Sequence, residues 1–193
     1  MKKITEKFFK YRSYTPIPFL LVMVIFQKAT WQSLVGGFVI VAIGELFRFW
    51  GVVYAGSETR TTGTVGGTYL VTRGAFSHLR NPLYFGNILI YIGIGIMSWA
   101  LFPYLQIVAL IFFLFQYDTI IKGEEEYLRK TFGKEYEEYT RNVPRLIPRL
   151  TSYKDGNSKQ PELNFKAGLR SEKRTLQAIV IVTVILILLF ILV

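Results

Sequence analysis

Residues 83–121 read LYFGNILIYIGIGIMSWALFPYLQIVALIFFLFQYDTII. Two apolar runs, 83–100 and 102–121, meet at Phe102-Pro103, and each approaches the roughly 20 residues needed to cross a bilayer. The tight turn between them predicts an antiparallel helical hairpin. Outward from it, residues 34–55 form a long apolar block that carries Glu45 and Arg48. Pro16–Gln27 is a shorter block that borrows from Tyr14 and Trp31. The last block, Leu176–Val193, has 18 residues with only Gln177 and Thr183 as polar interruptions. At about 1.5 Å per residue it extends roughly 27 Å. The expectation is an all-α, polytopic membrane protein with about five transmembrane helices and one cytoplasmic amphipathic helix. Residues 1–150 would be the membrane core, 151–175 a polar cytoplasmic linker, and 176–193 a C-terminal transmembrane helix.

Composition agrees. Of 193 residues, 51% are hydrophobic and 19% charged, below the roughly 25% of a soluble domain. The net charge of +10 sits between apolar blocks rather than over a polar surface, which argues against a nucleic-acid partner. Five spans place Lys2, Lys3, Lys7, Lys10 and Arg12, the 56–82 loop and the 122–175 segment on one side, with only Lys28 opposite. By the positive-inside tendency, the N-terminus and both large loops are expected in the cytoplasm and the C-terminus across the membrane. Cysteine is absent and His78 is the single histidine, so no thiolate, disulfide or histidine-rich metal site is expected. The Gly/Thr-rich stretch 56–67 lacks a following Lys-Ser/Thr and reads as a flexible loop, not a phosphate cradle.

Four features carry chemistry. In Arg80-Asn81-Pro82-Leu83-Tyr84-Phe85-Gly86, Asn81 suits a helix N-cap and Pro82 the first turn, so a helix starts at the cytoplasmic surface. Its free N–H groups beside Arg80 suit either plain capping or an anionic ligand. In Glu124-Glu125-Glu126, Glu125 and Glu126 can pair with Arg129 and Lys130 at i,i+4, which leaves Glu124 without such a partner. Leu128, Phe132, Tyr136 and Tyr139 make an amphipathic stripe with Gly133 inside it, suited to packing. Glu45 and Arg48 form an i,i+3 pair within a span, where ionisable groups default to function, although Arg48 is also placed to snorkel.

Together these residues resemble the isoprenylcysteine carboxyl methyltransferase and phospholipid methyltransferase group of integral membrane enzymes. The likeness runs from Leu70-Val71-Thr72-Arg73-Gly74-Ala75-Phe76 through Arg80–Gly86, then Glu124-Glu125, Phe132–Tyr139 and Val143-Pro144-Arg145-Leu146-Ile147-Pro148, with Arg48-Phe49-Trp50 before it. The resemblance implies S-adenosylmethionine as cofactor and a membrane lipid, or a lipidated small molecule or peptide, as methyl acceptor. It implies that Thr68, Tyr69, Leu70, Val71 and Phe76 line the cofactor pocket, that Asn81, Pro82, Leu83 and Tyr84 supply the helix-start contacts, and that Glu124 supplies a carboxylate. Arg80 and Glu45 are the candidate catalytic residues, Lys122 and Arg48 the candidates for an anionic head group. Three positions depart from the family pattern: Asn81 for His, Phe76 for Tyr, and Ile120 for the substrate-holding Arg. The Arg-x-Pro-x-Tyr and Val-Pro elements also resemble NADPH-dependent membrane sterol reductases, and a non-enzymatic scaffold is the third class. Carboxyl O-methylation and phospholipid N-methylation both stay open here.

Overall fold

The computed structural model describes residues 2–55, 69–154 and 160–192. The 56–67 loop, Thr68 and Asp155–Lys159 lie outside the described residues. Helices follow in the order α1 (Lys2–Tyr11), α2 (Pro16–Ile25), α3 (Trp31–Ala55), α4 (Pro82–Ser98), α5 (Tyr104–Phe132), α6 (Lys134–Asn142) and α7 (Phe165–Leu192), with a 3-10 turn at Gly74–Ser77. Among the described residues there is no strand.

Three helices, α3, α5 and α7, are long and apolar enough to cross a membrane. The protein is an integral membrane, all-helical protein. α4 has 17 residues and α2 only 10. The first apolar block therefore differs from the crossing helix expected of it. Ten residues rise only about 15 Å, and Phe26 leaves helical geometry at φ −106° and ψ 20° before Trp31 opens a new helix.

The chain divides into two compact units, Met1–Glu45 with Gly86–Ile120 and Arg174–Val193, and Leu46–Phe85 with Ile121–Lys173. In the first unit α4 and α5 form the expected hairpin around Phe102-Pro103. Gln106 Nε2 donates to the carbonyls of Gly95 (2.8 Å) and Ala100 (3.2 Å), satisfying groups at the end of α4. The Tyr91 and Phe113 rings lie 4.3 Å apart.

The same unit contains a backbone-close crossing of α3 and α4. A Cβ added to Gly37 would sit 2.5 Å from the Gly93 carbonyl oxygen, and one on Gly93 would sit 2.7 Å from that of Gly37. Gly44 would meet the Gly86 carbonyl at 2.7 Å. Small residues let helices approach where dispersion, rather than water exclusion, holds them. Around this seam lie the buried Met23, Leu34, Val41, Ile90, Ile94 and Met97, with Ile179 and Leu186 of α7.

In the second unit α5 runs past the expected end of its apolar block, as far as Phe132. Gly133 then takes φ +50°, a left-handed conformation that glycine adopts without a Cβ clash, and α6 starts afresh. The stripe read as one helix is thus split between two. Its packing role holds: Tyr136, Tyr139, Leu70 and Val143 are buried together, with Leu128 and Phe132 against them. α7 also begins 11 residues before Leu176, so the second half of the expected linker is helix.

The glycine seam gives a direct test. Gly93→Ala forces its Cβ into backbone, an overpacking cost of roughly 1–3 kcal/mol, and lowers the melting temperature in detergent. Gly36→Ala, with nothing within 4 Å of its Cβ, leaves it at or above wild type. Equal melting temperatures for the two variants would contradict the close crossing.

Candidate functional site

The second unit gathers the motif residues around the start of α4. α4 opens at Pro82, whose missing N–H costs nothing at a helix start, and Phe85 N donates to Asn81 O as the first turn closes. Leu83 and Tyr84 follow, within the turn whose N–H groups lack intrahelical acceptors. The Asn81 side chain is not spent on its own helix. Its Nδ2 donates to the Arg145 carbonyl at 3.1 Å.

That bond is one of a set joining two irregular segments. Arg80 N donates to Pro144 O (2.8 Å), Arg149 N to His78 O (3.0 Å) and Tyr153 N to Ser77 O (2.9 Å). His78 Nδ1 lies 2.8 Å from Arg149 O; a carbonyl only accepts, so Nδ1 carries the proton there. The histidine is a structural donor in this arrangement, not a poised base. Tyr139 adds a bond from its hydroxyl to Phe76 O at 2.7 Å.

Three consecutive glutamates on α5 point in three directions, since each residue turns the helix by about 100°. Glu124 Oε1 accepts from the Tyr84 hydroxyl at 2.6 Å. The sequence left Glu124 without a partner; the fold supplies one from the start of α4. Glu125 is 8% exposed and turns to Arg145, with Nε to Oε1 at 3.1 Å and Nη2 to Oε2 at 2.5 Å. Arg80 Nη2 stands 3.3 Å from Glu125 Oε1. The expected partner Arg129 gives way because two tertiary guanidiniums in a half-dry setting outcompete one on the solvated face. Glu126 does pair with Lys130 as expected, at 2.6 Å, on the exposed face.

These charges act on the neighbouring phenols. Burial, then the Glu125 carboxylate, push the Tyr136 hydroxyl up to about 12. Burial raises Tyr139 further, with Tyr136 beside it contributing. Both are neutral donors at physiological pH.

Arg48 on α3 is held by a residue that sequence reading passed over. Glu172, 1% exposed on α7, takes Arg48 Nη2 at 2.7 and 3.0 Å and Nε at 3.1 Å. Arg48 Nη1 also reaches Leu83 O at 3.5 Å. Arg48 therefore does not snorkel; its charge is matched inside the unit. Nothing local marks Glu172 in the sequence, because it lies 124 residues away within a run of mixed charge.

Of the pocket residues expected from sequence, Tyr69 is 38% exposed and Leu70 4%, Val71 is half-buried, and Phe76 lies in the 3-10 turn. Arg80, Asn81–Tyr84, Glu124, Lys122 and Arg48 belong to the same unit, with Lys122 exposed. Glu45 falls in the other unit, its carboxylate oxygens buried. Among the described residues no group of three metal-ligating side chains comes together.

A phospholipid methyltransferase family model matches residues 32–135, 104 of the 193. The chain belongs to the phospholipid methyltransferase family. It is similar to the cobalt-zinc-cadmium resistance protein CzcN of Cupriavidus metallidurans, 30% identical over 145 residues, covering 72% of this chain and 62% of that protein. The nickel-cobalt-cadmium resistance protein NccN of Alcaligenes xylosoxydans xylosoxydans is 31% identical, covering 65% of this chain and 55% of that protein. A probable protein-S-isoprenylcysteine O-methyltransferase of Oryza sativa subsp. indica is 34% identical, with 63% and 64% covered. The chain spans less than two thirds of the length of these relatives. No solved structure matches it significantly.

The family match ends at residue 135, before Arg145, so the partner that clamps Glu125 comes from outside it. Glu125→Ala leaves Arg80 and Arg145 facing each other across a dry gap. Its stability loss falls toward the lower end of the roughly 3–5 kcal/mol for breaking a buried pair, because Arg145 can turn to water. Glu126→Ala, on the exposed pair, changes thermal unfolding by a few tenths of a kcal/mol at most. Similar losses from both variants would refute the clamp.

Proposed function

We propose that this chain is an integral membrane methyltransferase that uses S-adenosylmethionine and acts on a lipid or lipidated acceptor. The observation that carries the reading is the Tyr84–Glu124 bond, which joins the start of α4 to the acidic pair of a methyltransferase-family chain. The residues present suit the cofactor. Arg80 Nε is a buried donor with no hydrogen-bond partner, and a buried donor of that kind calls for an acceptor. We assign this donor, at the entry to α4, to the carboxylate of the cofactor. Glu124, its orientation fixed by Tyr84, is suited to an ammonium or to ribose hydroxyls. Tyr69, Leu70, Val71 and Phe76 contribute apolar wall, with Thr68, Asn81 and Pro82 completing the assignment.

When bound, the cofactor supplies an electrophilic methyl on a sulfonium, whose positive charge is lost as the methyl leaves. A dry setting favours that change, and the chain's part is to position and to exclude water. We assign an anionic head group chiefly to Lys122, since Arg48 is neutralised by Glu172. Arg80 is assigned as the orienting donor of the site. Glu45, the candidate base in the sequence, lies in the other unit and is given no part in this site. The rice relative, named for O-methylation of an isoprenylcysteine, supports a lipidated acceptor.

Calorimetry with S-adenosylhomocysteine tests the reading, with NADPH as the contrasting ligand. Wild type binds the first and not the second, and Glu124→Ala weakens binding about tenfold or more, the scale of a lost charge-assisted bond. With labelled cofactor and total membrane lipid, the methyl moves into lipid or lipidated product. Release of that label as methanol in mild alkali identifies an ester, and retention an amine. Heat with NADPH alone sinks the reading.

We further propose that the site faces the cytoplasm and the C-terminus the opposite side, on the basic residues of the 122–175 segment and the long apolar helix α7 that follows. The native chain has no cysteine, so Lys154→Cys and Leu192→Cys report cleanly. An impermeant thiol reagent applied to intact cells labels position 192 and spares 154; the reverse pattern refutes the orientation.

A further inference from the structure

The segment Gln160–Glu172 lies beyond both the family match and the motif residues, yet it is anchored at both ends to elements of the site. At one end a single side-chain amide serves two backbone groups of the loop before the 3-10 turn. Gln160 Oε1 accepts from Thr72 N at 3.0 Å, and Gln160 Nε2 donates to Leu70 O at 2.9 Å. An N–H and a carbonyl two residues apart on extended chain present the pattern a neighbouring strand would satisfy. No strand is there, and the Gln160 amide takes its place. Leu70 and Thr72 are 4% and 1% exposed, so without Gln160 these groups would lose partners where water is scarce.

The rest of the segment fixes where Gln160 stands. Asn164 N donates to Val53 O at 3.2 Å, satisfying one of the last carbonyls of α3, and Asn164 Oδ1 caps α7 through Ala167 N at 2.9 Å. Gly168 lets α7 approach α3, since a Cβ there would lie 2.7 Å from Val53 Cγ2. Glu172 closes the attachment on Arg48.

We propose that Gln160 is a positioning residue for the cofactor loop Tyr69–Thr72, and that the Gln160–Glu172 segment is thereby a working part of the methyl-transfer site. The proposal rests on the methyltransferase reading above. Gln160 does not touch the reacting groups. It acts by holding the loop backbone so that Tyr69, Leu70 and Val71 present a fixed wall, which lowers the ordering cost of binding.

Gln160→Met keeps length and volume and removes both bonds. S-adenosylhomocysteine affinity then falls about tenfold, and KM for the cofactor rises in step. KM for the acceptor stays within about twofold, the split expected when one substrate's site is disturbed. Gln160→Glu, which keeps the Thr72 contact and sets a carboxylate oxygen against Leu70 O, is the second variant and weakens the cofactor likewise. Phe165→Ala is the structural control: it removes a ring contact with Phe49 (6.5 Å) in the same segment without touching the loop. It lowers the melting temperature and spares cofactor affinity. Wild-type affinity in both Gln160 variants overturns the proposal. So does a loss that tracks the melting temperature across all three variants, or failure of both Gln160 variants to fold, since each makes the role structural. Absence of binding by wild type itself is a different result, and counts against the methyltransferase reading.

Discussion

A carboxylate taken out of water must be matched, and Glu125 is where this constraint organises the second unit. Its two guanidinium partners come from 45 residues before it and 20 residues after it in the chain. One partner alone would leave the α4 entry or the Val-Pro-Arg segment tied only by backbone bonds. With both, Arg80 and Arg145 bring the main chains on which they sit to the same carboxylate. The bonds from Arg80 N to Pro144 O and from Asn81 to Arg145 O then follow at short range. The arrangement contributes geometry more than net stability, since desolvation offsets much of the Coulomb gain.

The clamp explains why three adjacent acids serve different ends. Once Glu125 is directed at its arginines, the helical turn sends Glu124 to Tyr84 and Glu126 to water. The Tyr84 bond crosses from α5 to α4 and fixes the carboxylate that we assign to the cofactor. The same turn puts Glu125 close enough to Tyr136 to help keep that phenol protonated. Position on the helix, rather than residue type, separates the acid that clamps two arginines from the one we assign to a ligand.

The spans obey a different constraint. Within the apolar phase, helix packing depends on how closely backbones approach, and Gly37, Gly44, Gly86 and Gly93 set that distance in the first unit. In the second unit Gly51, seven residues beyond Gly44, would place a Cβ 2.9 Å from Leu83 Cδ1. A seven-residue recurrence keeps one side of a helix toward one neighbour. Gly168 of α7 uses the same device against Val53, beside the segment that carries Gln160 and Glu172.

The sequence by itself determined the all-helical membrane class, because long apolar blocks have few other ways to satisfy their backbone in lipid. It also determined the hairpin at Phe102-Pro103, the helix start at Pro82, the packing stripe through Tyr136 and Tyr139, and the family, since these depend on local pattern and motif order. It overestimated the first block because hydropathy does not register where Pro16 and Phe26 bound a ten-residue helix. Partnership was decided only in three dimensions. Arg48 found Glu172, Glu125 chose Arg80 and Arg145 over Arg129, and Gln160 found the backbone of Leu70 and Thr72. Each choice turns on desolvation and distance across 20 to 124 residues of chain, which no local spacing encodes.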